Sequence, residues 1–124
     1  IHWLGFQSGE PLADAYRRAS VFVLPTREDC FGLVLLEALC SGTPIVASKY
    51  ADGAYDTVHP GENGLIVDPE DADALAEAID SILGSEEIQR RYSQNCRQYI
   101  PQFEFGAVMQ GYLQAIASVT SGNK

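Results

Sequence analysis

The chain has 124 residues, with 17 acidic against 8 basic side chains, a formal net charge of −9 and 46% hydrophobic residues. That length supports one domain around one core, and the acidic excess excludes nucleic-acid binding through a broad basic face. No apolar run approaches the ~20 residues needed to span a bilayer, and there is no signal-peptide pattern.

Ile1-His2-Trp3-Leu4-Gly5-Phe6 reads as a strand closed by a glycine turn. A helix follows from Glu10 to Ala19, with Leu12, Ala13, Tyr16 and Ala19 at helical spacing. Val21 to Leu24 is a short apolar run stopped by Pro25, as in a strand covered on both faces. Leu33 to Cys40 is a helix apolar nearly all round, hence expected to be buried, with Gly42 placed to end it. Pro44 to Ser48 is a third strand. Gly53 to Val58 reads as a short helix, His59 to Gly64 as a turn, and Leu65 to Val67 as a fourth strand. Asp68-Pro69 has the pattern of a helix start, with Leu75, Ile79, Ile82 and Leu83 as the inner stripe. Ser85 caps a further helix that carries Ile88, Tyr92, Cys96 and Tyr99 on one side and ends at Pro101. Phe105 to Val119 gives a last amphipathic helix.

Alternation of strands and helices predicts a Rossmann-like α/β fold, with a parallel sheet of about four strands and helices on both faces. We expect a single partial domain over residues 1–120 and a frayed tail at 121–124. The chain opens on Ile1 rather than Met, which suggests a piece of a longer protein or a processed one. Cys30, Cys40 and Cys96 are odd in number and lack metal-ligand spacing. They read as reduced, mostly buried thiols of a cytosolic protein. His2 and His59 lie outside any catalytic pattern and read as surface or turn residues.

In an open parallel sheet, ligands bind beyond the carboxyl ends of the strands. Those ends are Gly5-Phe6-Gln7, Pro25 to Phe31, and Ser48 to Gly53. The helix that begins near Gly32 aims its free amides and positive dipole end at the same crevice, which favours a phosphate. Glu37 is the only charge between Asp29 and Lys49. A carboxylate in so apolar a helix needs an internal polar partner or a ligand. One that accepts two hydroxyl hydrogen bonds suits a ribose or a sugar ring. Both readings, an internal cap and a ligand contact, stay open on the residues alone.

The segment Asp29-Cys30-Phe31-Gly32-Leu33-Val34-Leu35-Leu36-Glu37 resembles the Glu-x7-Glu motif of the family 4 group of retaining, nucleotide-sugar-dependent glycosyltransferases. Its flanks resemble that group too: Ala19 to Thr26 before it, Ala38 to Ser48 after it, then Asn63 to Val67 and Ala72 to Ile79. The resemblance covers about Trp3 to Phe105 and implies part of the donor-binding, C-terminal domain of a GT-B fold. It implies that Glu37 holds the ribose hydroxyls. It implies that Phe31 and the amides of Gly32, Leu33 and Val34 meet the diphosphate and sugar, and that Asp29 stands where a Glu contacts the sugar near the reacting carbon. Gly5, Phe6 and Gln7 are similar to a base-binding edge. Arg27 and Lys49 are the nearest cations, either phosphate helpers or solvated loop charges.

The implied chemistry needs no metal and no cofactor beyond the nucleotide-sugar donor, with UDP the expected nucleotide. The implied acceptor is a glycan or lipid-linked molecule held by an N-terminal domain outside this chain. The isolated chain is then expected to be inactive and open to self-association. The full protein is expected in the cytoplasm or on the inner face of the membrane. Asp29 is one methylene shorter than the group's Glu, with Glu28 beside it as a substitute. Asp52 and Asp56 stand where the group usually has Gly and Glu, and Phe103-Glu104-Phe105 replaces a Phe-Ser-Trp pattern. An epimerase on the same fold and a non-catalytic interaction module are the competing readings.

Overall fold

The computed structural model describes residues 1–121. The predicted frayed tail from Gly122 onward lies outside the described residues. The elements run α1 (Glu10–Arg18), β1 (Phe22–Leu24), α2 (Leu33–Ser41), β2 (Ile45–Ser48), α3 (Ala54–Thr57), β3 (Gly64–Val67), α4 (Ala72–Leu83) and α5 (Glu86–Tyr99). A 3-10 turn (Ile100–Phe103) and α6 (Phe105–Ser121) complete them.

The three strands form a parallel sheet in the order β1-β2-β3. Phe22 is paired with Ile45, and Ile45 in turn with Gly64. β2 is buried along its whole length, and its side chains alternate between two cores. Ile45 and Ala47 face Leu35, Ala38 and Leu39 of α2, with Tyr16, Ala54, Val58 and Cys96 around them. Val46 faces Ala78, Ile82 and Tyr92 on the other side. Each fully buried leucine or isoleucine contributes about 1.5–3 kcal/mol. Helices thus cover both faces of a parallel sheet, the predicted α/β class.

The sheet has three strands among the described residues rather than about four. Ile1–Phe6 forms no strand, and its Trp3 and Phe6 side chains are exposed. A parallel strand needs a neighbour to receive its hydrogen bonds, and β1 pairs only with β2.

Three further expectations are corrected. The helix predicted to start at Asp68-Pro69 starts at Ala72. Asp68 instead closes a turn by accepting the Glu70 amide at 3.0 Å, and Asp71 becomes the cap, accepting the Ala74 amide at 3.0 Å. Cys30 and Cys40 are exposed and only Cys96 is buried, all three as free thiols. Finally, α2 is not buried all round. Leu35, Ala38 and Leu39 are buried, whereas Leu33, Glu37 and Cys40, spaced four and three residues apart, form an exposed stripe.

Candidate functional site

The site is built where β1 and β2 end. After Leu24 the chain runs through Pro25 to Phe31 and enters α2 at Gly32. Gly32 has φ 73°, a left-handed conformation that side chains resist, and a Cβ there would press on Leu24 and Leu35 at 3.2–3.3 Å. That turn lets α2 begin abruptly beyond the carboxyl end of β1. The first-turn amides of Leu33 and Val34 have no acceptor inside the helix, so they are available to an anion at the positive end of the helix dipole.

The turn before α2 is clamped from the side. The Asp29 amide donates to the Tyr50 carbonyl at 3.2 Å, and the Asp52 amide donates to the Asp29 carbonyl at 3.0 Å. Gly53 makes the clamp possible, because a Cβ there would lie 2.0 Å from the Phe31 carbonyl oxygen. Asp29 Oδ1 accepts the Phe31 amide at 3.0 Å, so this carboxylate caps its own turn. Beside it lies a cavity of about 280 Å³ lined by Arg27, Glu28, Asp29, Lys49, Tyr50 and others.

The two predicted cations already have carboxylate partners. Arg27 lies 3.6 Å from Glu70, and Lys49 donates to Asp68 at 2.6 Å. The Lys49 bond holds the Asp68 carboxyl below its ordinary range, and Asp68 in turn raises Lys49. Both pairs are exposed, so they add little stability and a ligand can compete for either cation.

Glu37 is not the buried charge that its apolar neighbours suggest: its residue is exposed. Among the described residues nothing buries that stripe of α2, so the carboxylate escapes the cost of burial. It does have an internal partner, the Tyr16 hydroxyl, which donates to Glu37 Oε2 at 2.9 Å. Tyr16 itself is buried, and burial together with the adjacent carboxylate pushes its ionisation well above the ordinary tyrosine range. A cavity of about 240 Å³ opens beside the pair, lined by Gly9, Leu12, Ala13 and Ser41. The helical spacing of α1 places Tyr16 only in its apolar stripe. The legible signal was its hydroxyl, since a buried tyrosine tip seeks a hydrogen-bond partner.

The fold therefore brings Asp29, Phe31, Gly32, Leu33 and Val34 together in one turn, with Glu37 one helical turn further on. Gly5 and Phe6 are exposed and line neither cavity. His2 is exposed. His59 lies in its predicted turn but is half-buried, stacked on Tyr99 at 3.7 Å, and its Nε2 has no hydrogen-bond partner. Among the described residues no group of three or more His, Cys, Asp or Glu side chains could hold a metal ion. No helix among them is long and apolar enough to cross a membrane.

Known proteins are similar to this chain in sequence and fold. Residues 1–99 match the family described as Glycosyl transferases group 1. A D-inositol 3-phosphate glycosyltransferase of Corynebacterium efficiens is 33% identical over 86% of the chain. An exopolysaccharide phosphotransferase of Streptomyces coelicolor is 32% identical over 89%. The chain spans 25% and 12% of those two relatives' lengths. A sucrose-phosphate synthase structure from Thermosynechococcus elongatus superposes with a TM-score of 0.75 and 37% identity, over 92% of this chain and 29% of that one. HepE of Anabaena, solved with UDP and with UDP-glucose, superposes with TM-scores of 0.78 and 0.76 at 26% and 25% identity, over 93% of this chain and 31% of HepE. With that family matched over residues 1–99 and the HepE superposition covering 93% of the chain, the chain belongs to the group 1 glycosyltransferases.

Proposed function

We propose that this chain is part of the donor half of a retaining glycosyltransferase and that it binds a nucleoside diphosphate-sugar, UDP-linked, beyond the carboxyl ends of β1 and β2. The observation that carries the reading is the start of α2. Left-handed Gly32 opens the helix toward the crevice, and Glu37 stands one turn along it. The binding of UDP and UDP-glucose by HepE supports the choice of ligand.

In this reading the amides of Gly32, Leu33 and Val34 receive the diphosphate. Glu37 accepts hydrogen bonds from the ribose hydroxyls, and Asp29, with Glu28 beside it, faces the sugar. Arg27 lends charge to the phosphates after leaving Glu70, and Gly5 and Phe6 border the base. Transfer breaks the bond between the anomeric carbon and the diphosphate oxygen. It forms a bond to an acceptor hydroxyl oxygen on the same face, and the acceptor proton leaves with the diphosphate. Fixed amides facing the developing negative charge lower the barrier without reorganising, and no metal is required. A glycan or lipid-linked acceptor is held by sequence outside this chain, so the 124 residues alone bind donor without transferring it. The working protein then acts in the cytoplasm or at the inner membrane face, where such donors and acceptors meet.

The test is Glu37→Gln in the longer protein that carries this chain. Transfer from UDP-glucose is expected to fall about 10-fold or more, as for loss of hydrogen bonds to a charged group. Thermal stability should barely move, because the side chain is exposed. A large stability loss with normal turnover would overturn the assignment.

A further inference from the structure

We propose that Tyr16 is a positioning residue for Glu37, holding one carboxylate oxygen so that the rest of the group presents itself to a ribose diol. This rests on the reading of Glu37 as the ribose ligand.

The hydrogen-bond arithmetic favours the arrangement. A carboxylate is acceptor-only, with about four lone-pair sites. The Tyr16 hydroxyl fills one of them at Oε2, 2.9 Å away. Three sites remain, and a ribose diol brings two O–H donors. The scheme works only with a neutral phenol and an ionised carboxylate, and the buried setting of Tyr16 keeps its proton on.

Tyr16 is also well placed to act as a fixed post. It is 8% exposed, and its ring rests on Phe22 at 5.3 Å between centroids. Its carbonyl accepts the buried Thr43 hydroxyl at 2.8 Å. Glu37 by contrast sits on an exposed stripe, where a long side chain would otherwise sample several rotamers and lose them on binding. A bond from a rigid partner removes part of that loss in advance. The adjoining cavity of about 240 Å³ has the volume of about eight waters, room for a ribose beside the pair. Leu12 and Ala13 give it an apolar wall.

The test is titration of the 124-residue chain and its Tyr16→Phe variant with UDP and with 2′,3′-dideoxy-UDP, followed by amide shifts. The unmodified chain should prefer UDP about 10-fold. Tyr16→Phe should lose about 5-fold of UDP affinity and none of the affinity for the dideoxy ligand. Combined with Glu37→Gln it should add no further loss. If the unmodified chain shows the preference and Tyr16→Phe keeps it, the positioning role is overturned while the ribose reading stands. If the unmodified chain shows no preference, the ribose reading itself fails and the inference with it. Should Tyr16→Phe not fold, the unmodified chain labelled at the tyrosine ring carbons decides. Tyr16 signals must move with UDP and stay still with the dideoxy ligand, and equal movement with both overturns the proposal.

Discussion

Asp29 does two jobs with one carboxylate, and the two can be separated. Its Oδ1 accepts the Phe31 amide and shapes the turn, while its charge faces the cavity beside Arg27 and Lys49. Asp29→Asn keeps an acceptor oxygen, so the stability of the chain should stay within about 0.5 kcal/mol. Asp29→Ala leaves the Phe31 amide unpaired and should cost about 1 kcal/mol in urea unfolding. If the charge serves the donor sugar, both variants lower transfer in the longer protein alike. Cys96 gives a pH signature. Its thiol is buried, directed at the Thr43 carbonyl, and burial pushes its pKa up to about 12 from an ordinary 9.0. A folded-state pKa above the unfolded one means the thiol's contribution is intact below pH 9 and is lost as pH rises toward 12. Tyr16 is shifted in the same direction and steepens the loss above its ordinary value of 10.0. Urea midpoints measured from pH 8 to 11 should fall above pH 9, and Cys96→Ala should flatten that fall.

Among the elements, glycines decide the geometry of the site. Gly53→Ala drives a Cβ into the Phe31 carbonyl, a backbone atom that cannot swing aside. Overpacking of this kind costs about 1–3 kcal/mol, and the amide signals of Asp29 to Gly32 should move with it. Gly32→Ala forces a left-handed alanine and should cost about 1–2 kcal/mol. Unchanged urea midpoints would show that the turn is looser than described.

Element by element, what was legible followed from local chemistry. Tyr16 and Leu12 at helical spacing marked α1, and the runs at Val21 and Ile45 marked strands. Gly42 marked the end of α2, and Ser85 capped α5 by accepting the Ile88 amide. The failures share a cause, dependence on something not local. Ile1–Phe6 has a strand's composition but no neighbour to pair with. The apolar sequence neighbours of Glu37 suggest burial, yet burial depends on what packs across the helix, and among the described residues α1 reaches Glu37 through the Tyr16 hydroxyl but leaves it exposed. Asp68 and Asp71 are both competent caps, and only the turn closed by Asp68 shows which one serves. Within the candidate site, the glycine turn that opens α2 was readable from Gly32. The Tyr16–Glu37 bond was not, because it joins residues 21 apart in sequence on different helices.

At the scale of the whole molecule, the covered sheet coexists with surfaces that nothing among the described residues covers. α6 leaves Tyr112, Leu113, Ile116 and Val119 exposed, and Trp3 and Phe6 stand in solvent. Contiguous apolar surface of this kind binds apolar probes. The native chain should therefore enhance the fluorescence of a hydrophobic dye. Leu113→Glu with Ile116→Glu should reduce that signal while changing core stability by less than about 0.5 kcal/mol.

The central claim is that a nucleoside diphosphate docks at the start of α2. It is tested most directly by titrating the chain with UDP to millimolar levels while following backbone amide shifts. Weak, saturable binding is expected, with shifts clustered from Phe31 to Glu37. Shifts scattered over other elements, or none at millimolar UDP, would contradict it.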